Sequence, residues 1–482
     1  MHPRTRHHVP ADARAALVGQ VDSSFGGTVR LPGSKSLTNR YLLLAALASG
    51  TSRLANVLDC DDSRYLLDAL SQLGLEVDVE EDGAAEKVGG VHATVPGPLA
   101  VRIRGAGGAF PEKRGEFSLG NAGTTTRFLT AALAASEGSY VVDGDERLRQ
   151  RPIEDLVRAL NDLGANVQST GGCPPVTIHP ARLEGGGIDM SGSTSSQFVS
   201  AVLMTSPLAL GPVSVRLVGA TISKPYIDLT VQAMRDFSGS IKVYEKTDDG
   251  QPVFRVDRGR AYRARSCAVE GDASSAGYFY AAAAITGATV RVEGVGRGSS
   301  QGDLRCADVL AQMGCRVNKE EDVVTVTGGI LHGVDCDCGD IPDAVPTLAV
   351  ASLFARGKTR LRGVPHLRHK ESDRIATVAS ELRKLGAEVK ERLGGLEIHG
   401  TPGTQTTRLH GAEIDTWGDH RIAMALSVAG LMLPGMVIRD PGVVSKSYPG
   451  FFHALATLGA PVSFALAGGG RSDVVVQGGG DS

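Results

Sequence analysis

The stretch LSQLGLEVDV, residues 70–79, is typical of a helix that ends at a glycine and is followed by a strand. Variants of it recur five times, as LNDLGANVQS (160–169), MRDFSGSIKV (234–243), LAQMGCRVNK (310–319), LRKLGAEVKE (382–391) and LATLGAPVSF (455–464). Five of the six copies place Gly after an apolar residue, where a left-handed helix stop is expected, and the alternating apolar residues that follow indicate a strand. The spacing of about 70 to 90 residues exceeds the common solenoid periods, so each copy predicts a complete βαβ-containing subdomain.

The six units also begin alike, with a short polar stretch that leads into an apolar helix. These openings are SKSLTNRYLLLAAL (34–47), NAGTTTRFLTAALAA (121–135), SGSTSSQFVSAVLM (191–204), DASSAGYFYAAAAI (272–285), DAVPTLAVASLFA (343–355) and GDHRIAMALSVAGLM (418–432). Ser, Asn and Asp at these starts are good N-caps, which is explanation enough for the apolar parts. Capping does not explain why cations and hydroxyl groups crowd the same first turns. Because helix N-termini attract anions, several converging ends would form an anion-binding site.

Length and composition narrow the class of protein. A chain of 482 residues is too long for one hydrophobic core and predicts at least two domains. With 42% hydrophobic and 21% charged residues, wholesale disorder is excluded. The net charge of -3 argues against a nucleic-acid partner, and apolar runs such as 41–47 and 423–433 fall short of the roughly 20 residues that a bilayer requires.

The seven cysteines include no CxxC pair, and their odd number argues against a complete disulfide framework, which fits a reducing cytoplasm. The closest pair, Cys336 and Cys338, lacks a His or Cys partner at ligand spacing, so two small residues on a strand are favoured over a metal or redox site. Residues 1–15 lack the apolar stretch of a secretory signal and are interpreted as a loose tail, with a transit peptide as the alternative.

A series of motifs then points to one family. They are LPGSKSLTNR (31–40), LGNAGTTTRFL (119–129), RPIEDL (151–156), SSQF (195–198), SKPYID (223–228), DASSAGYF (272–279), KESDR (370–374), DHR (419–421) and SKSYPGFF (445–452). In this order, and over about residues 21–465, they resemble the 5-enolpyruvylshikimate-3-phosphate synthase family of enolpyruvyl transferases. Each motif alone would be weak evidence. GSKS, for example, is not a P-loop, because it lacks the GxxxxGK pattern.

The resemblance implies an α/β fold of two domains, with six repeated βαβ-containing subdomains, three per domain, around an interdomain cleft. It implies one domain at 34–270 and another at 16–33 plus 271–466, with flexible tails at 1–15 and 467–482. The segment Val101–Glu116 is expected to be an exposed loop. Since predicted site residues occur in both domains, the complete site is expected only when the domains close.

The activity implied is transfer of the enolpyruvyl group of phosphoenolpyruvate to the 5-hydroxyl of shikimate-3-phosphate by addition and elimination, with release of phosphate. This is a step of the shikimate pathway, which leads to chorismate and the aromatic amino acids, and glyphosate competes with phosphoenolpyruvate in this family. The two substrates bring together about five to six negative charges, which explains the concentrated cations. The resemblance implies a cytoplasmic monomer that uses these small molecules without cofactor or metal.

The resemblance also implies roles for individual residues. The proton-transfer and charge-stabilising residues are Lys35, Asp343, Glu371 and His420. The ligands of shikimate-3-phosphate are Lys35, Ser36, Arg40, Ser195, Ser196, Gln197, Ser223, Tyr226, Asp343, His366 and Lys370. The ligands of phosphoenolpyruvate are Lys35, Gly123, Arg151, Gln197, Arg374, Arg421 and Lys446. His366 departs from the Asn expected in many relatives, and a His there could make binding pH-dependent.

Simpler interpretations compete with these roles. From pattern alone, the KESDR segment is a solvated helix with surface ion pairs, and Asp343 is an N-cap. The rival enzyme is the sister that transfers enolpyruvyl to UDP-N-acetylglucosamine, and a catalytically inactive ligand-binding relative is the rival of another class. Lys35, Ser36 and KESDR favour shikimate-3-phosphate as the acceptor, and the retained candidate catalytic residues argue against inactivity.

Overall fold

The computed structural model describes residues 9–81, 99–192, 195–219, 223–237, 243–248, 251–257, 262–401 and 408–474. Their strands are β1 (Ala13–Val18), β2 (Gly27–Arg30), β3 (Ser49–Val57), β4 (Glu76–Glu81), β5 (Leu99–Ala106), β6 (Arg114–Ser118), β7 (Ser139–Asp143), β8 (Asn166–Thr170), β9 (Cys173–His179), β10 (Gly186–Ser191), β11 (Val213–Val218), β12 (Val243–Asp248), β13 (Gln251–Val256), β14 (Ser266–Ala268), β15 (Thr289–Glu293), β16 (Arg316–Lys319), β17 (Val323–Thr327), β18 (Asp335–Asp337), β19 (Gly357–Arg362), β20 (Glu388–Arg392), β21 (Gly395–Gly400), β22 (Glu413–Ile414), β23 (Met436–Arg439), β24 (Val462–Leu466) and β25 (Arg471–Asp473).

The α-helices among the same residues are α1 (Lys35–Leu47), α2 (Asp61–Gln72), α3 (Gly123–Ala134), α4 (Glu154–Asp162), α5 (Ser196–Thr205), α6 (Lys224–Phe237), α7 (Ala273–Thr286), α8 (Arg305–Met313), α9 (Val345–Leu353), α10 (Arg374–Lys384), α11 (His420–Ala429) and α12 (Phe451–Thr457). Within the described ranges, none of them combines the length and the apolar character that a membrane crossing requires.

The described residues divide into two compact units. The first unit lies within Gly33–Glu80 and Pro98–Val269, and its sheets have the strand orders β14-β3-β5-β4, β6-β7-β9-β8 and β10-β11-β13-β12. The second unit lies mainly within Met1–Pro32 and Glu270–Ser482, and its sheets have the orders β16-β17-β15-β2, β18-β19-β21-β20 and β22-β23-β1-β24-β25.

Each sheet repeats one connection pattern. In the third sheet of the first unit, β10 and β11 are parallel, with Ile188 opposite Val215, and α5 connects them. After α6 the chain adds the antiparallel pair β12 and β13, and β13 pairs with β11. Parallel neighbours require such a crossover, whereas antiparallel neighbours can follow directly. Six sheets with two helices each confirm the predicted α/β fold of six βαβ-containing subdomains, three per unit.

The repeated glycines end helices as predicted. Five of them have a positive φ, which is +83° at Gly74, +102° at Gly164, +120° at Gly314, +84° at Gly386 and +96° at Gly459. A side chain is strained in this left-handed region, so glycine is the residue that lets the chain leave each helix and enter the next strand.

The helices that open the repeats are buried on nearly all sides and form the centre of each unit. In the first unit α3 packs against α5, and α5 and α1 both pack against α6. In the second unit α11 packs against α9 and α7. The polar first turns of these helices are therefore held by cores that include Leu43, Leu129 and Val199 in the first unit and Leu348 and Met424 in the second.

Three predicted irregular segments differ from the structure. Val101–Glu116 is not an exposed loop, because its ends belong to β5 and β6 and Phe110 between them is fully buried. The predicted amino-terminal tail does not extend to Ala15, since β1 pairs with both β23 and β24. After residue 467, β25 continues the sheet beside β24. The rest of both predicted tails, 1–8 and 475–482, lies outside the described residues.

Candidate active site

Arg374 is the centre of a buried polar cluster in the second unit. Its side chain is 2% exposed, and its Nη1 donates to Asp343 Oδ1 at 2.8 Å. Its Nη2 donates to Glu371 Oε2 at 2.7 Å, and its Nε donates to Asp419 Oδ2 at 2.8 Å. Burial alone would lower the pKa of Arg374, but the surrounding carboxylates raise it above the ordinary value. Arg374 is therefore a permanent cation at the start of α10.

Asp343 connects this cation to a second one. It lies in the short 3₁₀ helix Pro342–Ala344 that leads into α9, and its Oδ2 accepts a hydrogen bond from Arg421 Nη2 at 2.6 Å. Arg421 also donates from Nη1 to the hydroxyl of Tyr278 at 3.3 Å. The Asp343 carboxylate thus bridges two guanidinium groups, a position well suited to any planar anion.

Asp419 is a site residue that the sequence reasoning missed. It is fully buried, its Oδ1 accepts from Arg421 N at 3.0 Å as the N-cap of α11, and its Oδ2 also accepts from Ser372 Oγ at 3.0 Å. The sequence feature that could have identified Asp419 is its position as the first residue of the DHR motif. An Asp at a helix start is usually explained by capping alone, but this one caps a helix and neutralises Arg374 together.

The remaining predicted residues of the second unit lie on elements that adjoin this cluster. His420 is fully buried in the first turn of α11, with Nδ1 at 3.6 Å from Asp419 Oδ1. Lys446 is buried at the end of the 3₁₀ helix Pro441–Lys446, which packs on α11. Lys370 follows the 3₁₀ helix Pro365–His369 and immediately precedes Glu371.

His366 is buried at 6% exposure, and neither ring nitrogen has a hydrogen-bond partner within the described structure. Burial first, and then the positive charge of Lys370, lower the pKa of His366 to about 3. The charge of Asp343 raises the pKa of His366 and the charge of Arg374 lowers it. The four residues therefore share one electrostatic environment. A neutral imidazole follows for the ligand-free protein, and a pH-dependent contribution of His366 to binding stays a prediction.

Trp417 stands beside the cluster, two residues before Asp419. It is 58% exposed, has a positive φ of 55°, and donates from Nε1 to Glu381 Oε1 at 2.9 Å. A bulky residue rarely adopts this backbone conformation, and the fully buried Glu381 of α10 helps to hold it there. The TWGDHR segment is thereby tied to the same helix that carries Arg374.

In the first unit, Gly123 and Arg151 lie together at the start of α3. Arg151 donates from Nη1 to Asn121 Oδ1 at 3.0 Å, and Arg127 donates from Nη1 to the carbonyl oxygen of Gly123 at 2.8 Å. A Cβ atom added to Gly123 would lie 2.5 Å from Arg127 Nη1 and 2.7 Å from Arg151 Cζ. The glycine therefore allows two guanidinium groups to approach the backbone closely.

Gln197 joins the first turns of α5 and α3. Its Nε2 donates to Thr124 Oγ1 at 2.9 Å, and its backbone N–H donates to Ser195 Oγ, which caps α5, at 3.3 Å. Ser196, which lies between Ser195 and Gln197, is buried. The polar SSQF and NAGTTTR motifs are thus brought into contact through Gln197, which was predicted to bind both substrates.

Arg40 connects α1 to the segment that carries Tyr226. Its Nη1 donates to the carbonyl oxygen of Ser36 at 2.8 Å, and its Nη2 donates to that of Tyr226 at 3.0 Å. It also donates to Thr230 Oγ1 at 2.8 Å and is 2% exposed. Burial lowers the pKa of Arg40 to about 10. These contacts give Arg40 a positioning function, and its function as a ligand stays a prediction.

Lys35 and Ser223 complete the predicted residues of the first unit. Lys35 Nζ lies 3.9 Å from Asp62 Oδ2, and both side chains are largely buried. Ser223 is 4% exposed and has a positive φ of 55° immediately before α6. Non-glycine residues in this conformation are often found at functional sites.

The family model for EPSP synthase (3-phosphoshikimate 1-carboxyvinyltransferase) matches residues 20–455. The chain belongs to the EPSP synthase family. The 3-phosphoshikimate 1-carboxyvinyltransferase of Thiobacillus denitrificans is 47% identical over 442 residues, which cover 90% of this chain and 97% of that protein. The protein of the same name from Shewanella amazonensis is 43% identical over 442 residues, covering 91% and 98%. An EPSP synthase structure from Acinetobacter baumannii matches with a TM-score of 0.74 at 29% identity, covering 93% of this chain and all of that one.

Proposed function

We propose that the protein is a 3-phosphoshikimate 1-carboxyvinyltransferase, which transfers the enolpyruvyl group of phosphoenolpyruvate to the 5-hydroxyl of shikimate-3-phosphate. The observation that carries the proposal is the position of Asp343 between Arg374 and Arg421. It places a candidate base directly on two cations that suit an anionic substrate. The relatives from Thiobacillus denitrificans and Shewanella amazonensis are both named 3-phosphoshikimate 1-carboxyvinyltransferase, which supports this acceptor.

The charge balance of the cluster suggests how phosphoenolpyruvate enters. Asp343, Glu371 and Asp419 share the donors of Arg374, and Asp343 also takes one from Arg421. An incoming carboxylate or phosphate competes with Asp343 and Glu371 for these donors. Asp419 is fully buried and caps α11, so it remains in place and keeps Arg374 charged and oriented.

This exchange supplies the proton-transfer groups when they are needed. Once the substrate anion takes their donors, Asp343 and Glu371 lose hydrogen bonds that favour their charged forms and become stronger bases. Glu371 takes up a proton in this state and delivers it to the methylene carbon in the addition, then removes one from the resulting methyl group in the elimination, while Asp343 accepts the proton of the attacking 5-hydroxyl. Arg374, Arg421 and Lys446 neutralise the charge that develops on the phosphate as it leaves.

The first unit supplies the other predicted ligands in this proposal. Short hydroxyls at Ser195 and Ser196 suit a phosphate, and Gln197 lies within reach of the NAGTTTR turn through Thr124. Lys35 contributes charge near Asp62, and Gly123 gives phosphoenolpyruvate access to the backbone beside Arg151. A monomeric state and a cytoplasmic location stay predictions of the sequence.

Phosphate release with phosphoenolpyruvate and each acceptor in turn tests the proposal. We expect release with shikimate-3-phosphate and none with UDP-N-acetylglucosamine. Asp343→Ala, Glu371→Ala and Lys35→Met should each reduce turnover by about 10²- to 10⁴-fold while the protein stays folded. Phosphate release that depends on UDP-N-acetylglucosamine would refute the acceptor, and near-wild-type turnover in two of the three variants would refute the catalytic roles.

A further inference from the structure

Cys336 and Cys338 form a pair that the reaction does not use. Cys336 lies in β18 and Cys338 follows directly after it, and the two sulfur atoms are 3.7 Å apart. Both side chains are buried, at 4% and 0% exposure. The prediction placed both residues on a strand, but only Cys336 lies in one, and the thiol of Cys338 donates to the sulfur of Cys336.

We propose that Cys336 and Cys338 are a thiol–disulfide modification site whose oxidation by a hydroperoxide displaces Asp343. The Cys336 thiolate attacks one oxygen of the peroxide O–O bond, giving a sulfenic acid, and the departing oxygen is protonated to water from hydrogen peroxide or to an alcohol from an organic hydroperoxide. The sulfur of Cys338 then attacks the sulfenic sulfur, so an S–S bond forms and the sulfenic oxygen leaves as water. Each thiol loses one proton and one electron, and the peroxide accepts both electrons.

The position of the pair favours this chemistry. β18 is a three-residue strand at the edge of its sheet, and Asp335 and Asp337 on either side of Cys336 are exposed. Local opening of this strand, which Arg362 holds through ion pairs with Asp335 and Asp337, gives a small oxidant access to the sulfurs. The hydrogen bond from Cys338 lowers the pKa of Cys336 and raises that of Cys338, so Cys336 is the nucleophile.

A metal is a poorer fit to the pair. Two thiols alone supply half of a tetrahedral zinc site, and the described residues contain no group of three or more His, Cys, Asp or Glu side chains that could hold a metal ion. A disulfide needs only the two sulfurs. Closing a ring between residues two apart strains it, and strained disulfides are readily reduced, as a reversible modification requires.

A series of backbone hydrogen bonds connects Cys338 to the turn that holds Asp343, the candidate base. Cys338 N donates to Arg362 O at 2.8 Å, Ile341 N donates to Cys338 O at 2.9 Å, and Ala344 N donates to Ile341 O at 3.1 Å. Asp343 lies in the turn that these bonds define. Shortening the sulfur separation from 3.7 Å to about 2.05 Å requires rotation of the two side chains, movement of the backbone at Cys336 or Cys338, or both, and a backbone movement at Cys338 displaces the turn that holds Asp343.

Peptide mapping tests the modification without reference to activity. The full chain is treated with hydrogen peroxide, free thiols are alkylated, and the protein is digested with trypsin. Residues 320–356 form one tryptic peptide whose only cysteines are Cys336 and Cys338, whereas Cys306 and Cys315 share the peptide 306–316. We expect peptide 320–356 to lose two hydrogen atoms and to resist alkylation until it is reduced with dithiothreitol.

Turnover tests the coupling to Asp343. Because a displacement of about 1 Å can cost up to about 10²-fold in rate, we expect oxidation to reduce turnover by about 10-fold or more and dithiothreitol to restore it. Cys336→Ala and Cys338→Ala should retain turnover under the same peroxide treatment, and Cys306→Ala, a control in the same core, should remain sensitive. The mapping stands even if a variant fails to fold.

Three results would overturn the proposal. One is complete alkylation of peptide 320–356 after peroxide treatment. Another is a disulfide that forms while turnover stays unchanged. The third is an equal loss of turnover in Cys338→Ala, which would assign the sensitivity to another thiol.

Discussion

The space beside the Gly123 backbone is occupied by two guanidinium groups, which leave no room for a Cβ atom. Gly123→Ala would place a methyl group at 2.5 Å from Arg127 Nη1 and 2.7 Å from Arg151 Cζ, so both side chains must move. Because Arg151 is a predicted ligand of phosphoenolpyruvate, we expect the KM for this substrate to rise about 10-fold, or about 1.4 kcal/mol. Steady-state kinetics with each substrate varied in turn would measure it.

The control for this prediction is shikimate-3-phosphate, because neither Gly123 nor Arg151 is among its predicted ligands. Its KM should change little, and the melting temperature should stay close to that of the wild type. The alternative is that Gly123 serves only the turn before α3. In that case both KM values rise together and the melting temperature falls.

His366 gives a prediction about pH and stability. Its folded pKa of about 3 lies below the ordinary value of about 6.5. Between these values the unfolded chain binds a proton here that the folded protein does not bind. Stability therefore rises with pH across this window, by up to about 1.4 kcal/mol per pH unit, and is lost as the pH falls below about 6.5.

His366→Asn should remove this contribution. Urea denaturation at about pH 7.5 and at about pH 5 measures how far the free energy of unfolding falls between these two pH values. We expect this fall to be about 2 kcal/mol smaller in the variant than in the wild type. His410→Asn, at an exposed position, is the matched control and should behave as the wild type. Identical losses in the wild type and His366→Asn would show that His366 does accept a proton in the folded protein.

At the scale of the element, the first turn of α11 depends on Asp419. Asp419→Ala removes an N-cap and one of the carboxylates that neutralise the buried Arg374. Loss of a cap costs about 1 kcal/mol, and breaking a buried ion pair costs about 3–5 kcal/mol. We expect a destabilisation of about 3 kcal/mol in urea denaturation, below the full sum because Arg374 keeps Asp343 and Glu371.

Asp373→Ala is the matched control for the cap. Asp373 accepts a hydrogen bond from Ala376 N at 3.1 Å as the N-cap of α10, but its ion pair with Arg368 is partly exposed. It should cost about 1 kcal/mol. Equal losses in the two variants would mean that Asp419 acts only as a cap.

The elements also show what the sequence could predict. Helix ends and strands followed from local rules, because Gly74, Gly164 and the other stops require a left-handed backbone that is encoded by one residue. The burial of Arg40 and the bridge from Asp343 to Arg421 did not follow. They depend on contacts between residues 186 and 78 positions apart in the chain. Local patterns also misjudged Val101–Glu116, where polar PEKRGE hid the buried Phe110 and two strands.

At the scale of the whole molecule, the predicted ligands of shikimate-3-phosphate belong to both units. Lys35, Ser196 and Gln197 are in the first, and Asp343 and Lys370 are in the second. If one ligand molecule engages both sets, binding favours the more compact population. We expect saturating shikimate-3-phosphate to reduce the radius of gyration in small-angle scattering. The variant Lys370→Ala should compact less at the same ligand concentration, and a radius that shikimate-3-phosphate leaves unchanged would argue against closure.

Trp417 has a consequence for observation of the working enzyme, because it is the sole tryptophan of the chain. Ultraviolet fluorescence excited at the indole band therefore reports on one segment, the half-exposed turn that precedes Asp419 and Arg421. Its indole N–H is held by Glu381, so a rearrangement around Arg421 alters the polarity and the quenching that the ring experiences. The protein carries its own optical probe beside the candidate catalytic cluster, and ligand binding there can be followed in real time without a label.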